Sequence, residues 1–274
     1  MGQLKSQLMG ILNVTPDSFS DGGQWIEPQR ALEHATTMLA DGAQIIDIGG
    51  ESTRPGADFI PVEAEISRVV PVIAGLKKLQ PHCIISIDTR KSTVAKAALV
   101  AGATMLNDIS GLEFSPDMAS LAAEYNASLV IMHMRGTPES MQRSENLQYT
   151  NVVDEVCHFL ENAAARAVNA GVASNKIIVD PGIGFSKNYA QNLELLKNID
   201  KIKALGFRVL VGPSRKAFIG QALNITEPEK RQWGTAGVVA YLAMLNIDII
   251  RVHDLREMAE MLKIFELCRS RDDG

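Results

Sequence analysis

Short runs of apolar, often β-branched residues alternate along the chain with longer segments in which apolar residues recur at helical spacing. Runs of the first kind predict strands at residues 8–14, 43–48, 83–88, 104–108, 128–132, 176–180, 208–211 and 247–252. Segments of the second kind predict helices at residues 28–40, 64–79, 91–101, 116–125, 152–170, 191–205, 232–244 and 255–267. This order, in which each strand is followed by a helix, predicts an α/β protein with a single (β/α)8 TIM barrel over residues 1–274.

The connections between the predicted elements are of two kinds. Turns from helix to strand are short, and several contain a glycine where the helix should end, at positions 42, 102, 171 and 206. The segments from strand to helix at residues 15–27, 49–63 and 133–150 are long and rich in Gly, Pro, Ser, Thr and charge. In a barrel these long segments form the carboxyl-terminal face, where active sites are built.

A doubly wound sheet is the alternative architecture. Its dinucleotide-binding fingerprint, G-x-G-x-x-G, follows the first strand and opens a helix. The nearest match in this chain, GIGFSK at residues 182–187, lacks the third glycine and follows the sixth predicted strand. The pattern therefore favours the barrel.

Polar side chains stand at the ends of nearly all the predicted strands. They are Asn13, Asp47, Asp88, Asn107, Asp108, His133, Asp180, Arg251 and His253. Any one of them alone could merely cap a helix or hold a loop. Because strand ends of a barrel meet at one mouth, their joint occurrence predicts a functional site there.

The chemistry of these residues suggests two kinds of ligand group. Asp88, Asn107 and Asp180 suit a flat heterocycle that carries ring N–H, amino and carbonyl groups. A set of cations near the strand ends suits a phosphate or diphosphate, namely Arg54, Arg215, Lys216, Arg251 and His253. Taken singly, Arg54 or Arg215 could be a solvated loop cation, Lys216 a partner of Asp180, and His253 a core histidine. Arg251 and His253 are two residues apart and share one face of a strand, which favours an anion there.

Composition narrows the class of protein. The chain has 274 residues, of which 46% are apolar and 22% charged, and its net charge is −5 without long blocks of one sign. These values are typical of a globular protein and make a nucleic-acid or membrane partner unexpected. No apolar run is long enough to cross a membrane. The apolar run at residues 8–12 is too short for a signal peptide, so a cytoplasmic protein is expected. The three cysteines form no CxxC pair, which argues against the usual zinc and disulfide patterns.

Long motifs in this order resemble those of the dihydropteroate synthases, the folate-pathway enzymes targeted by sulfonamides. They are MGILNVTPDSFSDGG at residues 9–23, DIGGESTRPG at 47–56, SIDT at 86–89, NDI at 107–109, MHM at 132–134, DPGIGF at 180–185, SRK at 214–216 and IRVHD at 250–254. Together they cover nearly the whole chain.

The resemblance implies that 6-hydroxymethyl-7,8-dihydropterin diphosphate is joined to 4-aminobenzoate by an SN1-like displacement of diphosphate. It implies pterin binding by Asp88, Asn107, Asp180 and Lys216, and diphosphate binding by Asn13, Thr53, Arg251 and His253, with Asn13 also binding Mg2+. It further implies an aminobenzoate pocket formed by Phe19, Arg54, Pro55, Phe185 and Lys216, and catalytic roles for Asp88, Lys216, Arg251 and His253. A homodimer through the last helices is expected as well, and Leu242, Leu262 and Phe265 are compatible with such an interface, although core packing explains them equally well.

The sequence departs from the family pattern at two positions. Ser186 stands where many relatives have glycine, which is expected to stiffen that loop, and Ala217 stands where relatives often have serine. Two other functions are kept as alternatives: a pterin-binding corrinoid methyltransferase, and a barrel that binds pterin without turnover. The motifs at residues 52–56 and 251–253 favour the synthase, because neither alternative requires a diphosphate site.

Overall fold

The protein is a closed parallel barrel surrounded by helices, as seen in a computed structural model that describes residues 6–15, 26–53, 56 and 59–269. Each strand pairs with its neighbours in chain order, and β1 pairs with β8 to close the barrel. The strands are β1 Gln7–Asn13, β2 Ile45–Gly49, β3 Ile84–Asp88, β4 Met105–Asp108, β5 Ser128–Met132, β6 Ile177–Asp180, β7 Arg208–Val211 and β8 Ile249–Val252. The helices are α1 Ile26–Ala40, α2 Val62–Leu79, α3 Ser92–Ala101, α4 Met118–Glu124, α5 Val152–Asn169, α6 Tyr189–Lys197, α7 Ile199–Lys203, α8 Ala217–Leu223, α9 Gln232–Met244 and α10 Leu255–Arg269. The predicted TIM barrel is confirmed.

Two helical segments differ from the prediction. The helix predicted at residues 191–205 is divided into α6 and α7 at Asn198, whose side-chain amide donates to the carbonyl of Glu194 at 2.8 Å. Such side-chain bonds to the preceding turn compete with helix propagation. Helix α8 was not predicted, because its seven residues are too few to show helical periodicity.

The barrel interior begins with an apolar floor to which nearly every strand contributes one side chain. The buried floor residues are Met9, Ile45, Met105, Val130, Ile178, Leu210 and Ile249, with Ile84 partly buried against them. Because side chains alternate between the two faces of a strand, the residue two positions further along also points into the barrel. Four of those eight positions hold Asp47, Asn107, Asp180 and Arg251, and the others hold Ile11, Ser86, Met132 and Gly212. The polar residues therefore form a layer directly above the floor.

A buried ion cluster fixes the segment that follows β2. The Lys91 ammonium donates to Glu51 Oε1 at 3.0 Å, to Glu65 Oε2 at 2.8 Å and to the carbonyl of Ile60 at 2.7 Å. The amide of Ile60 donates to the same Glu51 oxygen at 3.0 Å. All three charged side chains are buried. The cluster thus ties Glu51, which follows β2, and Ile60, which precedes α2, to Glu65 of α2 and to the start of α3.

The last helices bury the apolar residues that the sequence offered for a dimer. Leu242 and Leu262 are fully buried and Phe265 packs against the core, so core packing explains these three positions. Other apolar side chains of α9 and α10 are exposed instead, among them Trp233 at 82% and Ile264 at 60%. In the part of the chain that the structure describes, no helix combines the length and apolarity needed to cross a membrane.

Replacing Lys91 by methionine should destabilise the fold by about 3–5 kcal/mol, because the buried Glu65 carboxylate would lose its ion-pair partner and Glu51 would keep only Arg90, at 3.4 Å. Urea unfolding at pH 7 measures this difference. The matched control is Lys201→Met, whose partner Asp154 is 3.3 Å away on the surface, and it should cost less than about 1 kcal/mol. Equal unfolding midpoints for the two variants would contradict the structural role of the cluster.

Candidate active site

A pocket opens above the apolar floor at the carboxyl ends of the strands. It encloses about 350 Å³, counting the part that is open to solvent. Its lining consists of Thr53, Asp88, Asn107, Ile109, Met132, Asp180, Gly182, Ile183, Phe185, Gly212, Lys216 and Arg251. Small-molecule sites commonly combine apolar walls with a few placed polar groups. The pocket matches that description.

Arg251 on β8 pairs with two buried carboxylates at the base of the pocket. Its Nε lies 2.6 Å from Asp47 Oδ2, and its Nη2 lies 2.8 Å from Asp88 Oδ2. Asn107 Nδ2 donates to the same Asp47 oxygen at 2.9 Å. With its amino group turned towards Asp47, Asn107 can present its carbonyl oxygen to a ligand. Asp47, which is fully buried, therefore orients both an amide and a guanidinium of the site.

Asp88 is an acceptor with spare capacity. Burial raises the pKa of Asp88 to about 7, the Arg251 charge opposes this shift, and the Asp47 carboxylate adds to it. Asp88 Oδ1 is buried and accepts no hydrogen bond from the described residues. A buried acceptor of this kind costs free energy until a donor fills it. A ligand N–H at this position would satisfy the oxygen and favour the ionised carboxylate.

Asp180 and Lys216 form the other polar side of the pocket. Asp180 Oδ1 accepts from the Gly182 amide at 2.7 Å, and burial raises the pKa of Asp180 to about 6. Burial together with Arg251 lowers the pKa of Lys216 to about 8, whereas Asp180 and Asp88 raise it. Lys216 Nζ lies 3.9 Å from the centre of the Phe185 ring, a cation–π distance. The ammonium is thus held between an aromatic face and the pocket carboxylates.

The structure gathers most of the residues that the sequence analysis selected. Seven of them line this pocket: Thr53, Asp88, Asn107, Asp180, Phe185, Lys216 and Arg251. Asn13 ends β1 at the same rim. Gly49 lies beside both Asn13 and Asp88, because a Cβ added to Gly49 would be 3.7 Å from Asn13 Oδ1 and 3.8 Å from Asp88 Oδ2. His253 follows β8, and its Nδ1 lies 3.0 Å from Ser214 Oγ. Phe19, Arg54 and Pro55 lie outside the described residues.

The charges of the mouth are arranged differently from the division expected from the sequence. Arg251 does not lie opposite the carboxylates but is paired with Asp47 and Asp88. Arg215 forms an ion pair with Asp254, so its charge is directed towards the start of α10. The carboxylates and the cations, which the sequence analysis assigned to two different ligand groups, are therefore in direct contact through the Arg251 guanidinium.

Two features of the pocket were not predicted from the sequence: the role of Asp47 and the apolar residues of the pocket wall. Asp47 was noted only as a strand end, although its position two residues after the floor residue Ile45 places it on the interior face. The walls come from Ile109, Met132 and Ile183, which are apolar residues in or next to strand ends. Counting by two from each floor residue would have identified Asp47 and Met132.

Comparisons with known proteins agree with this geometry. Residues 9–253 match the family model of the pterin binding enzymes. A dihydropteroate synthase of Synechocystis sp. is 44% identical over 260 residues, which are 95% of this chain and 89% of that protein.

Two solved structures extend the similarity to three dimensions. A Yersinia pestis dihydropteroate synthase in a sulfonamide drug complex has a TM-score of 0.89 and 42% identity, covering 97% of this chain and 95% of that one. A Xanthomonas albilineans dihydropteroate synthase in complex with 7,8-dihydropteroate has a TM-score of 0.86 and 34% identity, covering 97% and 94%. With its family match, its curated relative and its barrel mouth in agreement, the chain belongs to the dihydropteroate synthases among the pterin-binding enzymes.

Proposed function

We propose that this barrel joins 6-hydroxymethyl-7,8-dihydropterin diphosphate to 4-aminobenzoate, giving 7,8-dihydropteroate and diphosphate. The observation that carries the proposal is the pocket, in which Asp88, Asn107 and Asp180 supply acceptor oxygens and Lys216 an ammonium. A pterin ring has amino and N–H donors along one edge and a carbonyl oxygen beside them. The acceptors suit the donors, and Lys216 suits the carbonyl and ring nitrogen acceptors.

The difficult step is the departure of diphosphate, because an aniline nitrogen is neutral at pH 7 and needs no base to expose its lone pair. In an SN1-like displacement the C–O bond to diphosphate breaks first. The C–N bond then forms, and the nitrogen proton leaves to solvent or diphosphate. Asp88 and Asp180 stabilise the electron-poor pterin methylene, and Arg251 receives the charge of the leaving group. Its contacts to the two aspartates leave further N–H groups for that purpose.

The diphosphate side of the site comprises Asn13, Thr53, Arg251 and His253. Mg2+ is proposed at this side, with Asn13 as its protein ligand. Within the described residues no three His, Cys, Asp or Glu side chains cluster as a metal cage. A single amide oxygen beside a diphosphate nevertheless fits Mg2+, which commonly takes few protein ligands and binds substrate phosphates. When bound, Mg2+ would neutralise charge on the leaving diphosphate.

The 4-aminobenzoate ring is proposed to lie against Phe185 and the stem of Lys216, which already contact each other. Phe19, Arg54 and Pro55 are proposed to complete this pocket from the two loops that precede α1 and α2. The sulfonamide complex of the Yersinia pestis enzyme supports a site of this class. Sulfonamides are therefore expected to compete with 4-aminobenzoate.

A homodimer is proposed through α8, α9 and α10, where Leu223, Trp233, Met244 and Ile264 are exposed. Sedimentation equilibrium should give twice the chain mass of 29.7 kDa, and a monomer at micromolar concentration would contradict the proposal. The cytoplasm is the proposed location, because all three cysteines are free thiols, which suits a reducing compartment.

Product formation tests the reaction directly. The protein is mixed with the pterin diphosphate, labelled 4-aminobenzoate and Mg2+, and dihydropteroate and released diphosphate are measured together. Equal amounts of both products are expected, and EDTA should abolish them if Mg2+ assists the leaving group. Pterin binding without product would instead indicate a barrel that binds without turnover, and methyl transfer to a corrinoid would indicate the other enzyme.

Asp47→Asn should lower kcat/KM by about 10²-fold, although Asp47 is not assigned a contact to either substrate. The change removes half of the countercharge that aims Arg251 and weakens the bond that orients Asn107. Steady-state kinetics with both substrates measure the effect. The matched control is Asp248→Asn at the opposite end of the barrel, where Asp248 Oδ2 accepts from the Val209 amide at 2.9 Å. Equal activity of the two variants would contradict the role of Asp47 in orienting Arg251 and Asn107.

A further inference from the structure

The loop between β6 and α6, residues 181–188, is wound around a buried amine. Three of its residues have left-handed backbone angles: Gly182 with φ 68°, Gly184 with φ 84° and Ser186 with φ 46°. A Cβ on Gly182 would lie 2.0 Å from the carbonyl oxygen of His133, so only glycine fits where this loop passes the end of β5. The winding turns several carbonyl oxygens towards the interior of the loop.

The amine at the centre is Lys187, which is buried. Its Nζ lies 2.9 Å from the Phe185 oxygen, 3.1 Å from the Gly182 oxygen, and 3.0 and 3.4 Å from Nδ1 and the oxygen of His133. Burial, with Lys187 and Arg135, lowers the pKa of His133 to about 2, so its ring is neutral and accepts at Nδ1. All these partners are uncharged hydrogen-bond acceptors, and they surround the ammonium group.

The outer side of the same loop forms part of the pterin pocket. Gly182, whose carbonyl accepts from Lys187, also donates its backbone N–H to Asp180 Oδ1 at 2.7 Å. Phe185, whose carbonyl also accepts from Lys187, has the centre of its ring 3.9 Å from Lys216 Nζ. Two groups of the proposed site thus depend on a loop shape that converges on Lys187.

The loop is also tied to its neighbours by bonds that do not involve this charge. Ser186 Oγ accepts from the Arg135 amide at 2.9 Å, and Tyr149 Oη donates to the Ser186 carbonyl at 3.0 Å. These bonds offset the left-handed strain of Ser186. The Ser186 hydroxyl thus makes a hydrogen bond that a glycine at this position could not make. Neutral groups already hold the loop in place, so the loop does not need a charged residue to keep its shape. Burying the Lys187 ammonium is costly because the charge loses its hydration, and this cost therefore requires another explanation.

We propose that Lys187 is a positioning residue of the active site: it aims Asp180 and Phe185 through the loop, and its positive charge keeps the Asp180 carboxylate ionised for pterin binding. The inference deepens the proposed function and rests on it. Lys187 itself has no assigned contact with a substrate.

The charges around Asp180 define the expected pH dependence. Lys187 faces Asp180 from its own loop, Lys216 from the segment after β7 and Arg251 from β8, while the neutral His133 lies on the β5 side. Burial raises the pKa of Asp180 to about 6, and the three cations oppose that shift. Burial lowers the pKa of Lys187 to about 7, so the amine is largely protonated where Asp180 titrates.

Removing the Lys187 charge should therefore raise the pKa of Asp180 further. The ionised carboxylate is the form that accepts pterin N–H donors. The Asp180 contribution to pterin affinity is accordingly retained above this pKa and lost as the pH falls through it. The titration of Asp88 near 7 is set by burial, Arg251 and neighbouring carboxylates, so it is common to the wild type and the Lys187 variants. In a variant without the charge, the loss should occur at a higher pH than in the wild type.

The test uses Lys187→Met, which removes the charge and the hydrogen bonds, and Lys187→Gln, which removes the charge but keeps an amide donor. Binding of 6-hydroxymethylpterin is measured by calorimetry from pH 5 to pH 8, and the Michaelis constant for the aminobenzoate substrate is measured at pH 7.5. Both variants should move the Asp180 step of the binding titration about one pH unit higher, which weakens binding about fivefold at pH 6 and approaches tenfold towards pH 5. Lys187→Met should also raise the Michaelis constant for the aminobenzoate several-fold, and Lys187→Gln should raise it less. The control Lys201→Met should leave both quantities unchanged.

Wild-type midpoints and Michaelis constants in both variants would overturn the role of Lys187. If Lys187→Met fails to fold, as judged by near-UV circular dichroism, Lys187→Gln decides the pH shift alone. A wild-type protein that binds no pterin would refute the proposed function, and the positioning role would fall with it. A wild type that binds and turns over, beside variants without a shift, would refute the Lys187 inference alone.

Discussion

The site depends on one guanidinium held between two carboxylates inside a closed barrel. Arg251 reaches Asp47 and Asp88 from the opposite side of the β1 strand, and Arg251 and Asp47 stand directly above a floor of apolar residues. Ion pairs in such surroundings do little for net stability, because desolvation offsets much of the attraction. Their retention is better explained by what they orient. Without Arg251, the two neighbouring acids Asp47 and Asp88 would repel each other at buried positions.

The same pairing connects the two halves of the proposed reaction. Asp88 has one oxygen on Arg251 and one without a partner among the described residues, so it can accept from a pterin while remaining paired. Arg251 in turn retains N–H groups that suit a diphosphate. In the proposed reaction the leaving group and the heterocycle would thus be held by residues in direct contact with each other. Such preorganised charge is the largest contribution that many active sites make to rate.

The sequence predicted those features that depend on local pattern. Period-two and period-3.6 spacings identified the barrel, and the polar strand ends identified its mouth, because both follow from positions along single elements. Contacts between elements were not accessible in this way. The partners of Arg251 come from β2 and β3, and Arg215, whose backbone is left-handed at φ 59°, pairs with Asp254 after β8. The burial of Leu242 likewise follows from how α9 packs on the barrel.

Lys187 shows the same limit within a single motif. Its neighbours drew attention as a glycine-rich turn, yet nothing in their spacing indicates that three carbonyl oxygens and an imidazole nitrogen surround the amine. That arrangement arises because β5 ends against the loop at His133. A residue with no expected ligand contact can therefore control the residues that have one.

The most direct measurement of the central ion pair is a pH titration of the Asp88 carboxyl carbon by NMR, assigned by its absence in Asp88→Asn. In the wild type the midpoint should lie near 7, as burial dictates. In Arg251→Met it should move to higher pH, because the opposing positive charge is lost while Asp47 remains. Saturation of the wild type with 6-hydroxymethylpterin should move it to lower pH. A midpoint near the ordinary aspartate value of about 4 that responds neither to Arg251 nor to the pterin would contradict the paired, ligand-accepting role of Asp88.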